Sequence, residues 1–143
     1  MMTFLPYSDF EKSVQVLDYK RLGKQRSEAY QIIETIKKQT GWKNHPAVKM
    51  WVGYTEMLKL YFNVVVNEWV KRGYVNNYKL FEIDESKLVS PWWMDNEDFH
   101  RAMRSRLIEK LPEFYESKFP EDKGFNDGKY FWPVMETKTF RRI

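Results

Sequence analysis

Two apolar stripes at helical spacing constrain the fold of this chain more than any other feature. Leu22, Gln25, Ala29, Ile32, Ile33 and Ile36 recur at three- and four-residue steps, and Gly41 supplies a stop. Val48, Trp51, Val52, Thr55, Leu58, Phe62, Val65 and Trp69 keep the same period until Gly73, which predicts one central packing helix of about six turns. Pro46 suits its first turn, with Asn44 or His45 as the cap. Phe99, Met103, Leu107 and Leu111 form a third stripe, and Asp95, Glu97 and Asp98 set acids at its positive end. Ser8 or Asp9 can cap a short helix ending near Leu17, and another short helix is predicted over Glu113 to Lys118. Tyr74 to Ser90 carries no sustained period and reads as an irregular excursion; Tyr130-Phe131-Trp132-Pro133 reads as a terminal segment tucked onto the helices. The expected fold class is mainly α: a compact single-domain helical bundle over residues 1–143, with irregular connecting segments.

Composition removes several function classes. The chain contains no cysteine and only two histidines, so a disulfide framework, a thiolate nucleophile and a cysteine zinc site are excluded, and no metal site is expected. A nucleotide-binding glycine loop and a carboxylate cluster for magnesium are also missing, which argues against a P-loop ATPase or a metal nuclease. The longest apolar run, Val64-Val65-Val66, is far too short to span a bilayer, and no basic segment followed by an apolar one opens the chain. The expectation is a soluble intracellular protein that does not engage membranes.

Charge and aromatic content point to a polyanion. Lys and Arg number 24 against 20 acids, and the acids crowd the middle of the chain, leaving basic islands at Lys12 to Arg26, Arg101 to Arg106 and Arg141-Arg142. The first island sets Lys20, Arg21, Lys24 and Arg26 around Glu28. At about 100° per residue, Arg21 and Glu28 share one flank of the apolar stripe, Lys24 turns toward solvent, and Arg26 falls on the opposite flank. Spacing leaves two readings of Glu28 open. One is an ordinary i,i+4 surface ion pair worth about 0.3–0.5 kcal/mol. The other is an acid held among phosphate-binding cations, able to stabilise a positively charged sugar or move a proton. His45 is a capping or packing residue, or a catalyst. His100, Arg101, Arg104 and Arg106 divide between polyanion and solvent, with His100 alternatively half-buried.

The chain then shows a combined pattern. Thr3-Phe4-Leu5-Pro6-Tyr7 precedes Leu17-Asp18, Lys20-Arg21-Leu22-Gly23-Lys24-Gln25-Arg26 and Glu28; Gly41-Trp42, Asn44-His45-Pro46, His100-Arg101 and Tyr130 to Trp132-Pro133 follow. This pattern resembles a group of small bacterial and viral proteins that form a divergent branch of the pyrimidine-dimer DNA glycosylase superfamily, founded by the phage endonuclease V enzymes. The resemblance runs over nearly the whole chain. It implies a compact helical fold and a glycosylase reaction coupled to abasic-site lyase chemistry, with neither metal nor cofactor. In that chemistry a free N-terminal amine attacks the sugar C1′, the base leaves, and an imine forms. By the resemblance Glu28 is the catalytic acid/base. Lys20, Arg21, Lys24, Arg26, His45, His100, Arg101 and Arg104 are the candidate DNA contacts, and the partner is double-stranded DNA carrying a damaged or modified base. The chain opens Met1-Met2-Thr3; initiation at Met2 followed by trimming would expose the Thr3 amine as the nucleophile.

The leading expectation is therefore a monomeric, DNA-binding, metal-independent N-glycosylase with abasic-site lyase activity. The alternative is a noncatalytic helical nucleic-acid-binding module on the same scaffold; a third reading is a helical interaction protein whose charges only solvate its surface.

Overall fold

The computed structural model describes residues 1–143. Its helices are α1 (Phe10–Gln15), α2 (Tyr19–Lys38), α3 (Pro46–Lys49), α4 (Thr55–Lys71), α5 (Glu97–Lys110) and α6 (Pro112–Tyr115), and its strands are β1 (Phe131–Val134) and β2 (Thr139–Arg142). The fold is mainly α. No helix is long and apolar enough to cross a membrane.

Helix α2 begins where Asp18 accepts the Lys20 N–H on its side chain, satisfying one orphan donor of the first turn. It ends at Gln39, which takes a left-handed backbone (φ 57) two residues before the expected glycine. The apolar face of α2 packs on α4. Gly23 permits the close approach: a Cβ there would stand 2.9 Å from the Trp69 ring, inside van der Waals contact. Leu22, Ile32, Leu58 and Phe62 join Leu5, Trp51, Trp93, Phe99 and Tyr115 in one continuous core.

Three predicted features differ. The Val48 to Trp69 period is not one helix, because the chain turns at Met50–Tyr54 and restarts at Thr55. Gly53 adopts φ +88 there, a conformation that an α-helix does not contain. Trp51 stays wholly buried through the turn, whereas Val52, expected inward, is exposed. The second short helix covers only Pro112–Tyr115. The terminal segment is half of an antiparallel hairpin, with Phe131 opposite Arg142 and Val134 opposite Thr139. Residues 74–90 carry a single 3₁₀ turn, Glu85–Lys87, as their lack of period predicts. Asn63 fastens this excursion by accepting the Phe81 N–H at 2.9 Å and donating to the Phe81 carbonyl at 2.8 Å.

Candidate active site

A cleft of about 280 Å³ opens beside the N-terminal half of α2. Its wall carries five cationic side chains, Lys20, Arg21, Lys24, Arg106 and Lys110, and a single carboxylate, Glu28, with Met1, Met2, Phe4 and Tyr130 completing it. Opposed charges of this kind focus a positive field around one acid.

Glu28 is nearly enclosed. Its Oε2 accepts the Met2 N–H at 2.7 Å, and its Oε1 lies 3.5 Å from the Lys24 ammonium, which is otherwise largely in solvent. Arg21 is held at the rim by Asp18, 3.1 Å away. Asp18 is in turn locked by Tyr115, whose hydroxyl donates to Asp18 Oδ1 at 2.5 Å and accepts the Asp18 N–H at 2.7 Å. Burial, and then the bond to Asp18, push the Tyr115 phenol well above its ordinary value, so it acts only as a neutral hydrogen-bonding group. Across the cleft the Arg106 guanidinium lies 4.1 Å over the Tyr130 ring and donates to the Lys129 carbonyl at 2.7 Å.

The N-terminal segment reaches this cleft without a strand partner, and side chains satisfy its backbone instead. Gln25 accepts the Phe4 N–H at 2.8 Å and donates to the Met2 carbonyl at 2.9 Å. Tyr61 lies 3.0 Å from the Phe4 carbonyl, and Ser13 both accepts the Tyr7 N–H and donates to the Tyr7 carbonyl. The Leu5 carbonyl meets His100 Nδ1 at 2.7 Å, and the Pro6 carbonyl accepts from Arg104 at 2.7 Å. Thr3 is fully buried, its hydroxyl accepting from Trp51 Nε1 at 3.1 Å. The backbone nitrogen facing Glu28 thus belongs to Met2, not to Thr3.

Several of the expected DNA ligands are engaged within the protein. His100 is buried, with a backbone carbonyl against each ring nitrogen, Leu5 and Met94. Arg104 is enclosed by Asp122 at 2.7 Å and Glu97 at 2.6 Å; burial opposes its charge, but these two acids outweigh burial and raise its pKa. Arg101 pairs with Asp122 at 2.9 Å and covers the Phe125 ring. Arg26, on the opposite flank as its angle predicts, lies 4.3 Å over Trp69 and donates to Asn76 at 2.8 Å. Lys20, Arg21 and Lys24 do meet at the cleft with Glu28. The sequence reading missed Lys110 and Tyr130 and grouped Arg106 with the wrong neighbours. Helical angles carried the signal for α5, since Arg106 and Lys110 are four residues apart on one face while Arg101 and Arg104 fall on the other.

His45 caps α3 by accepting the Ala47 N–H on Nδ1 at 3.0 Å. Its ring packs edge-on between Trp42 and Trp132, 5.9 Å from each, and Trp132 stacks on Tyr130 at the cleft wall. Burial, and then the positive N-terminus, lower the His45 pKa, with Glu28 opposing. The unfolded chain therefore binds more protons than the folded one between the lowered value and about 6.5, and stability rises with pH across that window. Thermal melts should show a midpoint that falls as pH is taken from about 7 to about 5, with a shallower slope in His45→Asn, which keeps a capping acceptor. An unchanged slope in that variant would assign the acid sensitivity to other groups.

The family model for pyrimidine dimer DNA glycosylases matches residues 1–82, the stretch that holds Glu28, Lys20, Arg21, Lys24, His45 and the anchored N-terminal segment. The chain belongs to this family. No curated protein and no solved structure matches it. Membership brings DNA glycosylase activity toward pyrimidine dimers at the level of the family, and with it a DNA substrate. The far wall of the cleft, Arg106, Lys110 and Tyr130, lies outside the matched stretch.

Proposed function

We propose that this protein excises a damaged pyrimidine from double-stranded DNA through an imine formed by its own N-terminal amine, and then cleaves the strand as an abasic-site lyase. The observation that carries the reading is the N-terminal segment pinned at a five-cation cleft, the Met2 amide held 2.7 Å from Glu28 and Met1, which bears the amine, lining the same cleft. An α-amine has an ordinary pKa of about 8, so an appreciable fraction is neutral and nucleophilic near physiological pH.

In the first step the neutral amine nitrogen bonds to C1′ as the glycosidic bond breaks, and the departing base takes a proton from solvent. Glu28 then carries one proton from the new C1′–N bond's nitrogen to the ring oxygen O4′, the C1′–O4′ bond opens with its electrons on oxygen, and the protonated imine remains. In the second step Glu28 takes a proton from C2′ and the 3′ phosphate departs with the C–O electrons. This route calls on a nucleophile, a proton carrier and charge neutralisation, all supplied by side chains and the terminus, so it runs independently of metal. Lys20, Arg21, Lys24, Arg106 and Lys110 neutralise the phosphates flanking the extruded nucleotide. Tyr130, Trp132, His45 and the exposed Trp42 form an aromatic row from the cleft outward, suited to fill the gap in the base stack.

Borohydride trapping on two duplexes, one with a cyclobutane dimer and one with an abasic site, tests the reading. A covalent adduct is expected on both, and it should disappear when the α-amine is blocked. Salt-sensitive binding to both duplexes without an adduct would instead leave a noncatalytic binding module on this scaffold.

A further inference from the structure

Chain termini fray unless they are tied down. Here side chains of α1, α2, α4 and α5 stand within hydrogen-bond distance of eight backbone atoms of Met2 to Tyr7. One residue holds two consecutive points nearest the cleft. Gln25 is fully buried in an α2 stripe whose other buried members, Leu22, Ala29, Ile32 and Ile33, are apolar. A primary amide in such a place is costly unless its groups are bonded. Its Oε1 accepts from Phe4 N–H and from the Tyr61 hydroxyl at 2.6 Å, and its Nε2 donates to the Met2 carbonyl. The orientation is unambiguous, since a backbone carbonyl requires the donor end and a backbone N–H the acceptor end.

The Gln25 amide thus brackets Thr3 as a residue of a neighbouring parallel strand would, bonding the carbonyl before it and the N–H after it. Glu28 lies three residues further along α2, a rise of about 4.5 Å, and the backbone advances about 3.3 Å per residue in extended conformation. With Met2 O and Phe4 N held by Gln25, the next polar group toward the terminus, the Met2 nitrogen, falls on Glu28.

The geometry points to Gln25 as the positioning residue that sets the register of the N-terminal segment, holding the Met2 amide on Glu28 and so keeping the Met1 end of the segment at the cleft. This rests on the imine reading for its consequence in catalysis, but not for the coupling itself. Gln25 touches neither DNA nor the reacting atoms; it acts through the segment it holds. Tyr61 supports it from α4, its own phenol pushed far above the ordinary range by burial and then by the Glu28 charge, so it remains a neutral donor.

Gln25→Leu keeps much of the volume and removes both bonds to the segment. Two measurements on the folded variant separate register from general damage. In wild-type protein the Met2 amide proton should titrate with the Glu28 carboxylate in NMR spectra, reporting their hydrogen bond; in Gln25→Leu that titration should vanish. In single-turnover trapping at saturating abasic duplex, the rate constant should fall about 100-fold, while the fraction of protein that finally reacts and the duplex Kd stay within two-fold. A merely structural role would lower the reactive fraction and leave the rate constant of the folded protein alone. Should Gln25→Leu fail to fold, Tyr61→Phe, which removes the hydroxyl that supports Gln25 at 2.6 Å and faces the Phe4 carbonyl at 3.0 Å, is expected to weaken the Met2 titration and slow trapping about five-fold. Persistence of the Met2–Glu28 titration and of the wild-type rate in a folded variant would overturn the inference. Loss of that titration with no adduct from any protein, wild type included, would uphold the positioning role and overturn the imine reading.

Discussion

Glu28→Gln is expected to abolish strand cleavage and slow imine trapping by about three orders of magnitude, within the range for loss of a positioned acid/base, while duplex binding survives. The substitution is close to isosteric, and glutamine Oε1 can still accept the Met2 N–H that now lies 2.7 Å from the carboxylate. The anchored terminus should therefore stay in place. What disappears is a negative charge and a site for a proton. Removing that charge from a wall of five cations should leave DNA affinity unchanged or raise it slightly, because the phosphates no longer compete with a carboxylate for the same field. The lost ion pair to Lys24 is minor: the ammonium is mostly in solvent at 3.5 Å, where such pairs contribute about 0–1 kcal/mol. Melting midpoint, Kd and trapping rate should thus separate cleanly, the first two nearly constant and the third collapsed. Wild-type cleavage by a folded Glu28→Gln protein would remove this residue from the mechanism.

The periodic residues and the site differ in how far they could be read ahead of the structure. The α2 stripe, its Asp18 cap and the meeting of Arg21, Lys24 and Glu28 follow from local rules, because a helix fixes angles between its own side chains. The break at Met50–Tyr54 is hidden by its neighbours: Met50 and Trp51 are buried at the start of the turn and Leu58 beyond it, so the apolar period carries straight through. Only Gly53, with its positive φ, marks the interruption, and a lone glycine inside an apolar run is weak punctuation. The hairpin was masked for a related reason. Its first strand contains Pro133 and its second ends in Arg141-Arg142, a pairing that offers little alternation. The contacts of His100 and Arg104 were hidden in another way. Histidine and arginine beside other arginines look like polyanion ligands, and here their side chains face the carbonyls of Leu5 and Pro6, contacts about a hundred residues apart in the chain that no local pattern encodes.

A ladder of N-terminal lengths should show the second large effect. Proteins released from a cleavable fusion to begin at Met1, Met2 or Thr3 differ only in which residue bears the free amine. In the protein that begins at Thr3, two anchors are gone: the Met2 nitrogen on Glu28 and the Met2 carbonyl on Gln25. The remaining Thr3 is buried and bonded to Trp51, so its amine would have to charge in an enclosed position and lie a residue's length, about 3.3 Å, short of the place Glu28 serves. Misplacement on that scale costs about 100-fold or more in rate, and trapping by this protein should fall accordingly. The proteins beginning at Met1 and Met2 both retain the Gln25 clamp at the cleft wall that Met1 and Met2 line; the Met2 amine stands on Glu28 and should trap fastest, while the Met1 amine lies one residue beyond it and should form its adduct more slowly, with intact mass confirming each terminus. Acetylating the amine should silence either one without altering its duplex Kd beyond the small change due to one lost charge. Full activity confined to the Thr3 protein would invert this order: the nucleophile would then be the buried threonine amine, and the segment would have to leave its clamp before reaction.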